Sequence, residues 1–150
     1  MKYFILILLA INILTLNAQQ ISSPDNNLKL VFKLVDGRPV YWLNFKQKPI
    51  IKESTLGIVL TNQPDFIDGF TVENIDTLTF LENWEPVWGE QSIIKNNYKE
   101  LKVTLSQMIP DKRILIITFR LFNDGLGFRY EFPQQNNLNY FVVKEEYTTF

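Results

Sequence analysis

The strongest constraint on the fold is a run of apolar residues at every second position. LKLVFKL, which begins at Leu28, alternates leucine or phenylalanine with lysine or valine. Successive side chains of a β-strand point to opposite faces, so this pattern predicts a strand with one buried face. VYWLNFK repeats the pattern from Val40, and Asp36-Gly37 between the two runs favours a tight turn. We expect a β-hairpin from Leu28 to Lys46.

Further runs with strand character follow, separated by turn signals, and no window favours a helical period. QKPII is interpreted as a turn, and STLGIVLTN as a strand in which Gly57 marks a bulge or a close backbone approach. FTVENIDTLTF, from Phe70, is a predicted strand, and QSIIKNNYKELKVTLSQM is interpreted as two strands around KNNYKE. This succession predicts an all-β, antiparallel β-sandwich.

The C-terminal part is the most strongly β segment. The run from Ile114 to Phe122 is apolar on both faces, which predicts a central strand. Asp124-Gly125 is expected to form a turn with positive φ before the chain returns as LGFRYEF. PQQNNLN, residues 133–139, is interpreted as a long surface loop, and the tail YFVVKEEYTTF as the start of another strand.

The first residues predict an export signal. MKYFILILLAINILTLNAQQ has a basic start at Lys2, a short apolar run and a small residue at Ala18. We interpret residues 1–18 as a signal peptide and residues 19–150 as one domain, with an uncleaved anchor as the main rival. Cleavage would leave a protein that is exported and free of the membrane, and a periplasmic location in a gram-negative bacterium is expected.

The chain contains neither cysteine nor histidine, and this limits the kinds of catalytic and metal-binding site that it can form. Ser-His-Asp and Cys-His catalysis are excluded, as are metal sites built on cysteine or histidine. Carboxylate catalysis and oxygen-ligated cations stay open. Basic residues are not concentrated anywhere, and with a net charge of −1 no nucleic-acid partner is expected.

LENWEPVWGEQ, residues 81–91, gathers side chains suited to binding. Indole rings stack on the flat C–H faces of sugars while neighbouring carboxylates take the hydroxyls, so Trp84, Glu85, Trp88 and Glu90 are the candidate site. Taken alone, the stretch favours a turn whose indoles anchor it to the core. A catalytic pair formed by Glu85 and Glu90 is the remaining alternative.

Several motifs occur in an order that resembles glycoside hydrolase family 97. They are SPDNNLKLVFKL, GRPVYWLNFKQKPIIKESTLGIVL, DGFTVENI, WEPVWGE, NNYKELKVTL and NDGLGFRYEFP. The resemblance implies an N-terminal β-supersandwich like that of galactose mutarotases, packed on a (β/α)₈ catalytic barrel. It also implies calcium-dependent exo-hydrolysis of α-glucosides or α-galactosides, inverting or retaining by subgroup.

The sequence departs from this family in its length, because it ends at Phe150. The resemblance therefore implies an incomplete supersandwich that lacks the barrel and most of the calcium ligands. No catalytic or metal-binding residue is carried over, and no cofactor is expected on this chain. Trp84, Glu85, Trp88 and Glu90 become candidates for contact with substrate or with a neighbouring domain. A stand-alone carbohydrate-binding module is the alternative.

Overall fold

The computed structural model describes residues 18–90 and 92–150 of the chain. The expected signal peptide lies almost wholly outside these residues and stays a prediction. The described residues contain β-strands and connecting segments and no helix. The strands are β1 (Gln19–Ser22), β2 (Leu28–Val35), β3 (Arg38–Phe45), β4 (Lys48–Thr55), β5 (Ile58–Leu60), β6 (Phe70–Trp84), β7 (Ile94–Met108), β8 (Lys112–Leu121), β9 (Leu126–Glu131) and β10 (Val143–Glu146).

The strands form two four-stranded antiparallel sheets and one small sheet. The first sheet has the order β1-β2-β3-β4, the second has the order β6-β7-β8-β9, and β5 pairs with β10. The two larger sheets pack face to face, with Phe32 of the first sheet 6.0 Å from Phe119 of the second between ring centroids. The predicted all-β antiparallel sandwich is confirmed.

The first predicted hairpin is also confirmed. β2 and β3 pair from Leu28 opposite Phe45 to Val35 opposite Arg38. Asp36 and Gly37 have φ values of 50° and 75°, the left-handed conformation that a two-residue hairpin turn requires. The leucines and Phe32 that alternate along β2 enter the core, as the pattern predicts.

The next segment corrects the interpretation of QKPII. The turn consists of Lys46 and Gln47, whose φ values are 46° and 69°, and Pro49 already belongs to β4. An edge strand tolerates proline because its outward N–H has no partner to lose. The close approach expected at Gly57 is confirmed, since a Cβ there would lie 2.9 Å from Cγ2 of Ile67.

The predicted division of QSIIKNNYKELKVTLSQM into two strands is wrong. β7 is one strand of 15 residues, and it pairs with β6 from Phe70 opposite Gln107 to Trp84 opposite Ile94. The polar residues of KNNYKE continue the strand because β6 supplies a partner along its whole length. β6 likewise extends past its predicted end at Phe80.

The predicted central strand is confirmed, because β8 pairs with β7 on one side and β9 on the other. The turn that follows closes through a 2.9 Å hydrogen bond from the N–H of Phe122 to the carbonyl of Gly125. The positive φ expected for Asp124-Gly125 is wrong, since neither residue adopts it. Asn123 and Asp124, the two residues between this bonded pair, make the turn without positive φ.

The predicted loop at residues 133–139 is confirmed, although one of its residues reaches the core. Leu138 is buried, and Gln135 accepts a hydrogen bond from the N–H of Ile114 and donates one to its carbonyl, so the loop is fixed to β8. The tail forms β10, which confirms the final predicted strand.

Candidate functional site

The site is carried by the far end of the β6–β7 hairpin. β8 pairs with β7 from Lys99 to Met108 only, whereas β6 and β7 continue as far as the Trp84–Ile94 pair. Five strand pairs, Phe80–Tyr98 to Trp84–Ile94, therefore project beyond the four-stranded sheet as a two-stranded ribbon. We call this the β6–β7 ribbon, and we call residues 84–90 its tip.

An aromatic cluster holds the base of the ribbon to the sheet. The ring of Tyr98 stacks on Phe80 at 5.0 Å and contacts Phe122 at 5.2 Å. The guanidinium carbon of Arg120 lies 4.6 Å from the Tyr98 ring centroid, and its Nε donates a 2.7 Å hydrogen bond to Glu100. This bond raises the pKa of Arg120 above its ordinary value. Ring stacking and cation–π contacts together fix the orientation of the ribbon.

The tip leaves its aromatic residues in solvent. Trp84 is 47% exposed, Trp88 is 87% exposed and Val87 between them is fully exposed. In the part of the chain that the structure describes, neither indole contacts another aromatic ring. The expectation that the indoles anchor the stretch to the core is therefore wrong. The ribbon carries them beyond the sheet, where no core is within reach.

The two candidate carboxylates share the same surroundings. Glu85 and Glu90 are exposed at the tip, and among the described residues neither forms a hydrogen bond or an ion pair. Gly89, with φ 149°, turns the chain between Trp88 and Glu90. The tip thus combines flat apolar rings with solvated carboxylates, a combination that can stack on a sugar ring or on an apolar patch of another domain.

A second group of polar residues lies on the outer face of the same sheet. Glu131 accepts hydrogen bonds from the Thr118 hydroxyl at 2.6 Å and from Nε of Arg129 at 3.0 Å, and Lys102 is 3.9 Å away. The Thr118 bond and then Arg129 lower the pKa of Glu131. Gly127 leaves a hollow of about 290 Å³ beside these residues.

The sequence anticipated part of this group and missed the rest. In LGFRYEF the alternation of a strand predicts Arg129 and Glu131 on one face with Phe128 and Tyr130 on the other, and the ion pair and the packing of both rings confirm this. Thr118, Glu100 and Arg120 gave no local signal. Only the register of β7, β8 and β9 places them on the same face.

The described residues offer neither a metal site nor a membrane-spanning helix. Within residues 18–90 and 92–150, no group of three acidic side chains converges as a metal site would require. The described residues also provide no helix that is long and apolar enough to cross a membrane.

Comparison with known proteins identifies the family to which this antiparallel β-sandwich belongs. The family model described as Glycosyl-hydrolase 97 N-terminal matches residues 21–150. The chain belongs to this family.

Solved enzymes show the same fold. A Glycoside Hydrolase Family 97 enzyme from Pseudoalteromonas sp. strain K8, in a variant complexed with panose, superposes with a TM-score of 0.82 at 29% identity. The same values hold for that enzyme in complex with acarbose. A β-arabinopyranosidase matches in fold, with a TM-score of 0.77 at 23% identity. Each match covers 87% of this chain and 20% of the other, so the chain spans about a fifth of the enzymes that it matches.

Proposed function

We propose that this chain is the N-terminal β-sandwich portion of an exo-acting, α-glucosidase-like glycosidase. The observation that carries the proposal is the pair of indoles at the end of the β6–β7 ribbon, 47% and 87% exposed. Large apolar rings grouped in solvent mark a surface that binds something. We infer that the tip lies beside the substrate pocket of a (β/α)₈ catalytic domain, where it contacts that domain or an α-glucoside or α-galactoside.

In this proposal the chain has no hydrolytic activity by itself. The catalytic carboxylates belong to the barrel, and Trp84, Glu85, Trp88 and Glu90 shape the pocket from outside. Export to the periplasm through residues 1–18 belongs to the same proposal, because polymeric sugars are met outside the cytoplasm.

The resemblance to glycoside hydrolase family 97 implies that the complete enzymes bind calcium. The described residues of this chain do not fit a calcium site, because no three of their carboxylates converge. We therefore assign any calcium to residues outside this chain.

A chimaera tests the proposal. The matching N-terminal segment of the Pseudoalteromonas enzyme is replaced by residues 19–150, and hydrolysis of an aryl α-glucoside is measured. We expect the chimaera to be active, the isolated chain to be inactive, and Trp88→Ala to lower kcat/KM of the chimaera about tenfold, or ~1.4 kcal/mol.

Leu81→Ala is the matched control. Leu81 lies on the ribbon and is 69% exposed, but it precedes the tip, so its truncation is expected to leave kcat/KM unchanged. Equal losses in the two variants would mean that the ribbon acts only through its stability. An unchanged Trp88→Ala chimaera would remove the tip from the proposed pocket.

A stand-alone carbohydrate-binding module is the second candidate. Exposed indoles beside carboxylates favour it, since this pairing suits a sugar ring and its hydroxyls. Tryptophan fluorescence titrated with panose and acarbose tests it on the isolated chain. A saturable change that Trp88→Ala abolishes would support this candidate, and a folded chain that shows no change at millimolar sugar would exclude it.

A further inference from the structure

The segment between β5 and β6, residues 61–69, leads from the small sheet to the second sheet, and we call it the strap. Phe66 of the strap is fully buried, and it exchanges two backbone hydrogen bonds with Ile58 of β5, at 2.8 and 3.0 Å. Directly after the strap, the N–H of Phe70 donates a 3.0 Å hydrogen bond to the carbonyl of Gly37, in the turn of the first hairpin. Backbone hydrogen bonds therefore join this part of the chain to the small sheet and to the first sheet.

Two buried polar side chains join the strap to the second sheet. Gln107 of β7 and Arg113 of β8 lie opposite each other, two residues beyond the pair formed by Leu105 and Leu115. Side chains two residues apart in a strand share a face, so the polar pair occupies positions on the core face of the sheet. Gln107 and Arg113 are 1% and 2% exposed, so residues outside this chain have almost no access to them.

The hydrogen bonds of this pair end on carbonyls of the strap. Nη1 of Arg113 donates to the carbonyl of Pro64 at 2.8 Å, and Nη2 donates to the carbonyl of Asp65 at 3.1 Å and to Oε1 of Gln107. Nε2 of Gln107 donates to the carbonyls of Asp65 and Asp68, at 2.9 and 2.7 Å. The two side chains thus fix three carbonyls within five residues of the strap.

The buried guanidinium has no carboxylate partner. Among the residues that the structure describes, Arg113 forms no ion pair, and its buried Nε has no hydrogen-bond partner. The carboxylates of the strap are engaged elsewhere, since Asp65 accepts a 2.8 Å hydrogen bond from the N–H of Leu60 and Asp68 lies 3.9 Å from Arg38. Burying a cation among uncharged acceptors has a desolvation cost, so this guanidinium is a poor source of net stability.

We propose that Arg113 and Gln107 form a latch, which holds the strap on the second sheet and controls its opening while the sandwich stays folded. The planar fork of Arg113 reaches two successive carbonyls and Gln107 at once, which the single ammonium of a lysine cannot do. The guanidinium carbon also lies 4.1 Å from the ring centroid of Phe66, a cation–π contact that is lost when the strap opens. The latch fixes the position of one segment and does not support the whole fold.

Native-state amide hydrogen exchange on the full chain tests the latch. Strap opening is reported by amides whose hydrogen bonds join the strap to β5, those of Ile58, Leu60 and Phe66. Global unfolding is reported by amides in the middle of β8, those of Ile117 and Phe119. We expect Arg113→Met to accelerate exchange at least about tenfold in the first group and less than about threefold in the second.

Two further variants separate the fork from the charge. Arg129→Met is the matched control, because it removes an exposed guanidinium that does not touch the strap, and we expect it to leave exchange in the strap unchanged. Arg113→Lys keeps the buried charge and loses the fork, so we expect it to release the strap as Arg113→Met does.

The proposal is overturned if Arg113→Met accelerates both groups of amides equally or leaves the chain unfolded, because the guanidinium would then support the whole sandwich. It is also overturned if Arg113→Met leaves exchange in the strap unchanged. Exchange in Arg113→Lys as slow as in the unsubstituted chain would equally contradict it, because the fork would then not be what holds the strap.

Discussion

The sandwich core and the β6–β7 ribbon are built from the same strands, yet they use their side chains differently. Where β7 is flanked by β6 and β8, its residues Leu101, Val103 and Leu105 are buried. Beyond β8, β6 ends at Trp84 and the connecting loop carries Trp88, and both indoles are exposed. The comparison teaches that coverage by the opposite sheet, and not residue type, decides which apolar residues stabilise this fold and which remain free to bind.

The largest effect is expected in the core. Phe119 is fully buried and lies 6.0 Å from each of the rings of Phe32, Tyr41 and Phe128. We expect Phe119→Ala to lower the free energy of unfolding by about 3–5 kcal/mol, because it leaves a cavity between the sheets. Urea denaturation monitored by circular dichroism measures this. A loss below about 1 kcal/mol would contradict the assignment of Phe119 to the centre of the core.

The second largest effect is expected in the pH dependence of stability, through Tyr130 at the edge of the core. Burial raises the pKa of Tyr130 from 10.0 to about 12, while its hydroxyl accepts a hydrogen bond from the N–H of Gly57. The unfolded chain ionises first, so stability is fully present below pH 10 and is lost between pH 10 and 12. We expect a loss of about 2–3 kcal/mol.

Tyr130→Phe distinguishes this residue from other alkaline effects. The variant loses the hydrogen bonds to Gly57 and Thr148 and is expected to be less stable at neutral pH. Its stability is expected to fall less between pH 10 and 12, with burial of Tyr41 as the residual contribution. An identical alkaline decline in both proteins, measured by urea denaturation, would contradict the role of Tyr130.

The third prediction tests the junction between the two regions. Tyr98 is 4% exposed and joins the ribbon to the sheet through Phe80, Phe122 and Arg120. We expect Tyr98→Ala to destabilise the ribbon by about 2 kcal/mol, the sum of two ring contacts and a cation–π contact. Hydrogen exchange is expected to accelerate in Phe80–Trp84 and to change little in β8. Equal acceleration in both would show that the ribbon belongs to the core.

The smallest effect is expected at the tip. Trp88 is 87% exposed, so Trp88→Ala is expected to change the free energy of unfolding by less than about 0.5 kcal/mol. Phe119→Ala is expected to lower the free energy of unfolding and Trp88→Ala is not. The two variants together would show that the residues proposed for binding are not those that stabilise the fold. A loss of 2 kcal/mol or more in urea denaturation would mean that the indole packs against the fold.

The sequence predicted most strands and misjudged their ends. Alternation identified β2 and β3, and a run that is apolar on both faces identified β8, but KNNYKE lacks alternation and was predicted as a break. Its strand conformation depends on pairing with β6, a partner that local sequence does not reveal. The four candidate residues of the tip lie together because they are close in sequence, whereas the burial expected for the two indoles was wrong.

Sequence by itself determined the all-β class and the first hairpin. It also excluded catalysis and metal sites that need histidine or cysteine, which the chain lacks. These conclusions depend on residue type and period alone. Only the tertiary structure decided which residues are buried. Arg113 is 2% exposed, because it donates hydrogen bonds to the carbonyls of Pro64 and Asp65, in a loop far away in sequence, and to Gln107, opposite it in β7. The indoles at the tip show the converse, since burial is a property of the neighbours that folding supplies.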